Sequence, residues 1–166
     1  MQQKVTPFIW FEENAEEAMN FYISTFNNSK IIDIERHTGD RGIPGEDKLK
    51  GKVLTGIFEI EGMRFMCLDG GPLFKPGGNI SFMVEFDTQE QLDKVWDKLN
   101  EAGTPMQCGW ITDKFGTTWQ IVPKSLGEMW SDPNATKAQK DALDKAMLPM
   151  IKLDVAELEK AFSDAK

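Results

Sequence analysis

The apolar positions of this chain change period several times, and each change marks an element. Val5 to Phe11 is a short apolar run with Pro7 near its start, which predicts an opening or edge strand rather than a central one. In NAEEAMNFYISTF the apolar residues Ala15, Ala18, Met19, Tyr22 and Phe26 share one face of a helix. Asn14 stands where a side-chain cap is needed, Glu16 and Glu17 suit the first turn, and Asn27 and Asn28 end the helix. Lys30 to His37 and Lys52 to Ile60 have strand character, and GDRGIPGED between them reads as a mobile or ligand-facing loop. Glu61 and Gly62 signal a hairpin into Met63 to Leu68, and DGGPLFKPGG is a second glycine-rich connection. The first half therefore reads βαβββ.

The pattern then starts again. Asn79 to Phe86 alternates, with Ile80, Phe82, Val84 and Phe86 on one face and Asn79, Ser81, Met83 and Glu85 on the other. Asp87 or Thr88 caps a helix with Leu92, Val95, Trp96 and Leu99 at helical spacing and Gly103 as terminator. Short strands follow around Met106 to Thr112 and Thr117 to Val122, joined by DKFG, where Gly116 takes positive φ and Asp113 makes an Asx-type turn bond. Beyond Pro123 the chain is helical: SLGEMWSDP is a turn or short helix, Ala135 to Leu148 is amphipathic, and a last helix is capped at Asp154. Such a tail packs against the sheet or a partner subunit.

Strand alternation also sorts the faces. Trp119 and Ile121 point to the helix-covered side, so Thr118, Gln120 and Val122 turn the other way with Asn79, Ser81 and Met83. The result is a concave face of neutral polar and sulfur-bearing side chains. Trp110, beside Gly109 near the turn, is the tryptophan best placed to line it.

Composition narrows the partners. The 166 residues suit one compact domain, or two pseudo-repeated halves sharing a core. A net charge of -8, with basic residues scattered among acidic ones, excludes a nucleic-acid groove or an anionic membrane surface. No stretch is long and apolar enough for a signal peptide or a membrane span, so the expected location is cytoplasmic. Cys67 and Cys108 lie in no ligand spacing and are expected to be reduced, inert thiols. His37, the sole histidine, is expected at the surface or a dimer edge, and no catalytic residue is assignable.

Two strand-helix-strand units with capped helices, and a D-x-x-G turn feeding the last strand, resemble the vicinal-oxygen-chelate superfamily of glyoxalase I, bleomycin-resistance proteins and extradiol dioxygenases. More closely, WFEENAEEAMNFY, ISFMVEFDTQEQLDKVWDKL, QCGWITDKFGTTWQIVP, LGEMWSDP and the tail are similar to the PhnB-like, 3-demethylubiquinone methyltransferase-like subfamily over nearly the whole chain. The resemblance implies an α+β fold of paired βαβββ modules, the glyoxalase/bleomycin-resistance fold, with module one at about 1–74, module two at about 75–123 and a helical tail at 124–166. It also implies a homodimer that can exchange modules, and a second module shortened between Gly103 and Asp113.

The superfamily's metal-ligand positions fall here on Pro7, about Met66, Asn79 and Gln120, which make a poor donor set. No strand is followed by the glycine-rich turn that cradles S-adenosylmethionine. The expectation is therefore a metal-free, cofactor-free cavity for a small planar or hydrophobic metabolite, lined by Gln120, Asn79, Met66, Ser81, Met83 and Trp110. The alternatives are a metal-dependent lyase, isomerase or dioxygenase of the same superfamily, holding a divalent cation, and a structural or interaction protein.

Overall fold

Pro7 cannot donate to a ladder, and the first strand begins just after it: β1 (Phe8–Phe11) is an edge strand, as its sequence predicts. The structure, a computed structural model, describes residues 3–42, 44–75 and 77–165; Ile43 and Pro76, inside the two glycine-rich connections, lie outside them. The chain divides into two units, residues 1–76 and 77–166, each holding one βαβββ module.

In the first unit α1 (Ala15–Thr25) follows β1, then β2 (Lys30–Arg36), a short α2 (Glu46–Leu49), β3 (Val53–Ile60) and β4 (Met63–Asp69). The sheet order is β1-β4-β3-β2, with only β1 and β4 parallel among its pairs. The predicted face of α1, Ala15, Ala18, Met19, Tyr22 and Phe26, is buried, and Tyr22 stacks on Phe58 of β3 at 6.1 Å. Gly56 makes that approach possible: a Cβ there would stand 2.7 Å from Met19 Sδ. The Glu61–Gly62 turn takes positive φ at both residues, as the hairpin signal requires.

Two expectations fail in this unit. Asn14 makes no side-chain cap to α1; the Asp69 carboxylate caps it instead, accepting from Ala15 N at 2.8 Å and from Val53 N at 2.9 Å. Asp69 registers with Phe11 at the end of β1, so a full charge arrives beside both unpaired donors and displaces the weaker amide. His37 is not at the surface but 5% exposed. Its Nε2 donates to the Asp69 carbonyl at 3.1 Å, and Nδ1 stands 3.5 Å from Glu46 Oε1 because α2, unforeseen inside the charged loop, carries Glu46 over it. Burial opposes ionisation of Glu46, yet the backbone N–H groups of Arg41 and Gly39, and then His37, hold its carboxyl below the usual range.

The second unit runs β5 (Phe82–Phe86), α3 (Gln89–Asn100), β6 (Thr104–Pro105), β7 (Trp110–Thr112) and β8 (Thr118–Pro123), with sheet order β5-β8-β7-β6. The expected shortening is real: β6 has two residues. Thr88 caps α3 by accepting from Gln91 N, and Leu92, Val95, Trp96 and Leu99 are all buried. Asp113 organises the turn into β8, its carboxylate accepting from Phe115 N (2.8 Å), Thr117 N (3.0 Å) and Trp119 Nε1 (2.9 Å).

The tail forms α4 (Lys124–Ser131), α5 (Lys137–Met147) and α6 (Val155–Asp164). Leu126, Leu143, Leu153 and Leu158 gather around Val122 of β8, so the tail packs on the sheet face opposite Trp119 and Ile121. Backbone bonds fix it there: Cys108 N donates to Met150 O at 2.7 Å and Gly109 N to Ile151 O at 2.9 Å. No helix among the described residues is long and apolar enough to cross a membrane.

Candidate functional site

Strand register places Met83 of β5, Gln120 of β8 and Trp110 of β7 directly opposite one another in one row. Residues paired across a sheet project to the same face, so the three side chains form a continuous floor. The tail supplies the rest. Leu126, Gly127 and Trp130 of α4 and Met147 of α5 close over this floor, leaving a cavity of about 230 Å³. Glu85, Cys108, Val122 and Pro123 complete its wall.

Three of the six expected cavity residues therefore meet, and a fourth joins them through a hydrogen bond: the Gln120 side-chain nitrogen donates to Ser81 Oγ at 2.9 Å. Asn79 does not line this cavity. It is exposed in the turn before β5, and Ile80 beside it is 67% exposed, because the ladder starts at Phe82 opposite Trp119. Upstream of Thr118 the partner strand is already the Asp113 turn, whose N–H groups are spent on that carboxylate, so residues 79–81 have no strand to pair with. Met66 belongs to the first unit, where it registers with Phe8 and Ile57.

The sheet residues of the cavity follow from alternation, but the α4 and α5 residues do not. An amphipathic helix shows that it will cover something, and the Leu126 to Leu158 spacing alone does not say which face of which strand. Glu85 shares the face of Met83 in the alternation and lies in the wall, although it is not one of the six expected cavity residues.

The chemistry of the lining is narrow. It holds one formal charge, Glu85; one thiol, Cys108; one carboxamide, Gln120; and two indoles, Trp110 and Trp130. Trp130 Nε1 is occupied, donating to Asp144 Oδ1 at 2.9 Å. Gln120 Oε1 accepts no hydrogen bond among the described residues. As a metal site the donor set does not fit: one carboxylate and one thiol with an amide and thioethers lack the imidazoles and further carboxylates or thiolates that complete a divalent site. Among the described residues no three His, Cys, Asp or Glu side chains converge anywhere. Cys67, in the first unit, is buried, and burial, followed by the Asp69 carboxylate, pushes its thiol up to about 12.

Paired βαβββ modules of this topology define the vicinal-oxygen-chelate class, the glyoxalase/bleomycin-resistance fold. Within it, the chain belongs to the family described as 3-demethylubiquinone-9 3-methyltransferase, whose model matches residues 3–122. The PhnB protein from Bacillus cereus is 36% identical, with 73% of this chain and 99% of that chain covered and a TM-score of 0.65. A protein from Pseudomonas aeruginosa shares the fold at 20% identity, covering 73% of this chain and 96% of its own with a TM-score of 0.60. Among curated proteins there is no match.

Proposed function

We propose that this chain binds a small, largely apolar molecule in the cavity above Met83, Gln120 and Trp110, without a metal and without a chemical step. The observation that carries the reading is the register row itself: the sheet of the second unit presents an amide flanked by a thioether and an indole, and the tail walls it on one side. The volume suits a ligand of roughly a dozen heavy atoms. A metal-dependent reaction finds no support in the donor set. Methyl transfer, which the family's description names, finds none either: the turns at Glu12–Asn14 and Asp87–Thr88 that lead into α1 and α3 contain no glycine, and the glycine-bearing connection after β2 leads only into the four-residue α2, too short to cradle a nucleotide-bearing donor. The same reading includes a homodimer, supported by exposed apolar side chains such as Phe8, 52% exposed on an edge strand.

Because two tryptophans line the cavity, occupancy is readable as quenching of intrinsic fluorescence alongside a thermal shift. Flat aromatic probes are expected to quench and stabilise, and Gln120→Leu to weaken both effects. Absence of any stabilisation across an aromatic panel overturns the binding role. Stoichiometric Zn, Ni, Mn or Fe, lost in Gln120→Ala, overturns the metal-free reading. A monomeric mass at micromolar concentration overturns the dimer.

A further inference from the structure

The lining of the cavity carries one formal charge, and it is negative: Glu85. Glu85 has no hydrogen bond or ion pair among the described residues. Its Oε1 lies 3.5 Å from where a Cβ on Gly127 would stand, so the carboxylate rests against α4 at the cavity wall. Lys124, at the start of α4, is committed elsewhere: its Nζ pairs with Asp87 at 3.5 Å and Glu128 at 3.9 Å. Gln120 gives one of its two N–H donors to Ser81, and its carbonyl oxygen accepts no hydrogen bond among the described residues, which makes it a second acceptor in the lining.

Resting on the binding reading above, we propose that the cavity selects an apolar cation, an arylalkyl amine or ammonium, over neutral and anionic molecules of the same shape. Glu85 is its counter-ion, Gln120 Oε1 takes an N–H, and Trp110 and Trp130 offer indole faces that attract a cation. An anion would face an unpaired carboxylate across an apolar space, with no basic side chain in the lining to offset it. The N-terminal turn of α4 contributes a partial positive charge of only about half a unit, less than the full charge of Glu85. Glu85 is exposed, so water screens it on one side and limits the preference to roughly five- to tenfold at low salt.

Three indoles that differ only at the end of a short chain separate the possibilities: tryptamine, tryptophol and indole-3-acetate. Affinities are measured by calorimetry in low salt and at about 0.5 M salt, against both the natural chain and Glu85→Gln. The expected order is tryptamine tightest and indole-3-acetate weakest, with salt weakening tryptamine alone. In Glu85→Gln the tryptamine and tryptophol affinities converge; a circular-dichroism melt checks that the variant is folded. Equal affinities for the three probes, a preference for the acetate, or a tryptamine preference that survives in Glu85→Gln overturns cation selection while leaving the cavity as a binding site. No binding by any of them at millimolar concentration overturns both.

Discussion

The amide nitrogen of Gln120 donates to Ser81 Oγ at 2.9 Å, so the centre of β8 is tied to a residue lying just outside β5. Gln120 stands at the position where the superfamily resemblance places its last metal ligand. There the amide spends one donor on the segment before β5, and its oxygen accepts no hydrogen bond among the described residues.

A carboxylate at that position does not restore a metal site. In Gln120→Glu the row would read thioether, carboxylate, indole, and the wall would add only Glu85, which rests against α4, and Cys108, with no imidazole to complete a set. The variant, expressed in metal-supplemented medium, is expected to purify with far less than one equivalent of Zn, Ni, Mn or Fe by elemental analysis. Stoichiometric metal would refute the account of the donor set.

Asp69 holds three elements of the first unit: Ala15 N of α1, Val53 N of β3 and, through its carbonyl, His37. Asp69→Ala leaves two buried N–H groups unpaired and is expected to cost about 3 kcal/mol in denaturant unfolding. Asn14→Ala, which removes the cap that sequence alone suggests, is expected to change stability by less than about 0.5 kcal/mol.

Gly109 is required where it stands. Its φ is +77°, and a Cβ would lie 2.6 Å from Ile121 O, the backbone of the next strand. Gly109→Ala should destabilise by about 2 kcal/mol or more and loosen the bond to Ile151 that anchors the tail. Hydrogen exchange at Cys108 and Gly109 should rise before exchange in α3 does.

Alkaline pH is predicted to weaken the fold through Cys67. Its thiol is pushed up to about 12, whereas an unfolded cysteine ionises near ~8.5. Because the folded value is the higher, the contribution is complete below ~8.5 and is lost as pH rises from there towards 12. Urea midpoints at pH 7 and pH 10 should fall more in the natural chain than in Cys67→Ala. Native protein should leave Cys67 unalkylated by iodoacetamide at pH 8.

Leu158 of α6 is fully buried in the cluster around Val122. Leu158→Ala should cost about 2–4 kcal/mol and, by loosening the roof, weaken aromatic probes that touch only α4, α5 and the sheet. A variant that is destabilised but binds such probes unchanged would separate the tail from the cavity.

Local periodicity made much of this architecture legible. The α1 and α3 faces, the Glu61–Gly62 turn, the Asp113 turn and the opposed faces of β8 all follow from residues within a few positions of one another. What escaped depends on long-range meetings. Asp69 caps a helix 54 positions earlier in the chain, and His37 is buried by a helix turn inside a loop that reads as open. The start of β5 depends on where its parallel partner stops, so alternation from Asn79 was apolar pattern without a ladder. At the site, Gln120, Met83 and Trp110 were readable because register follows alternation; the side chains facing them were not.

The family match ends at Val122, and α4, α5 and α6 all lie beyond it. The Bacillus cereus relative is covered almost to its full length by 73% of this chain. The strands that floor the cavity thus lie inside the matched stretch and the helices that wall it lie outside. Trp130 and Met147 stand in the cavity wall but outside the matched stretch, so the wall they form can vary independently of the strands that carry Met83, Trp110 and Gln120.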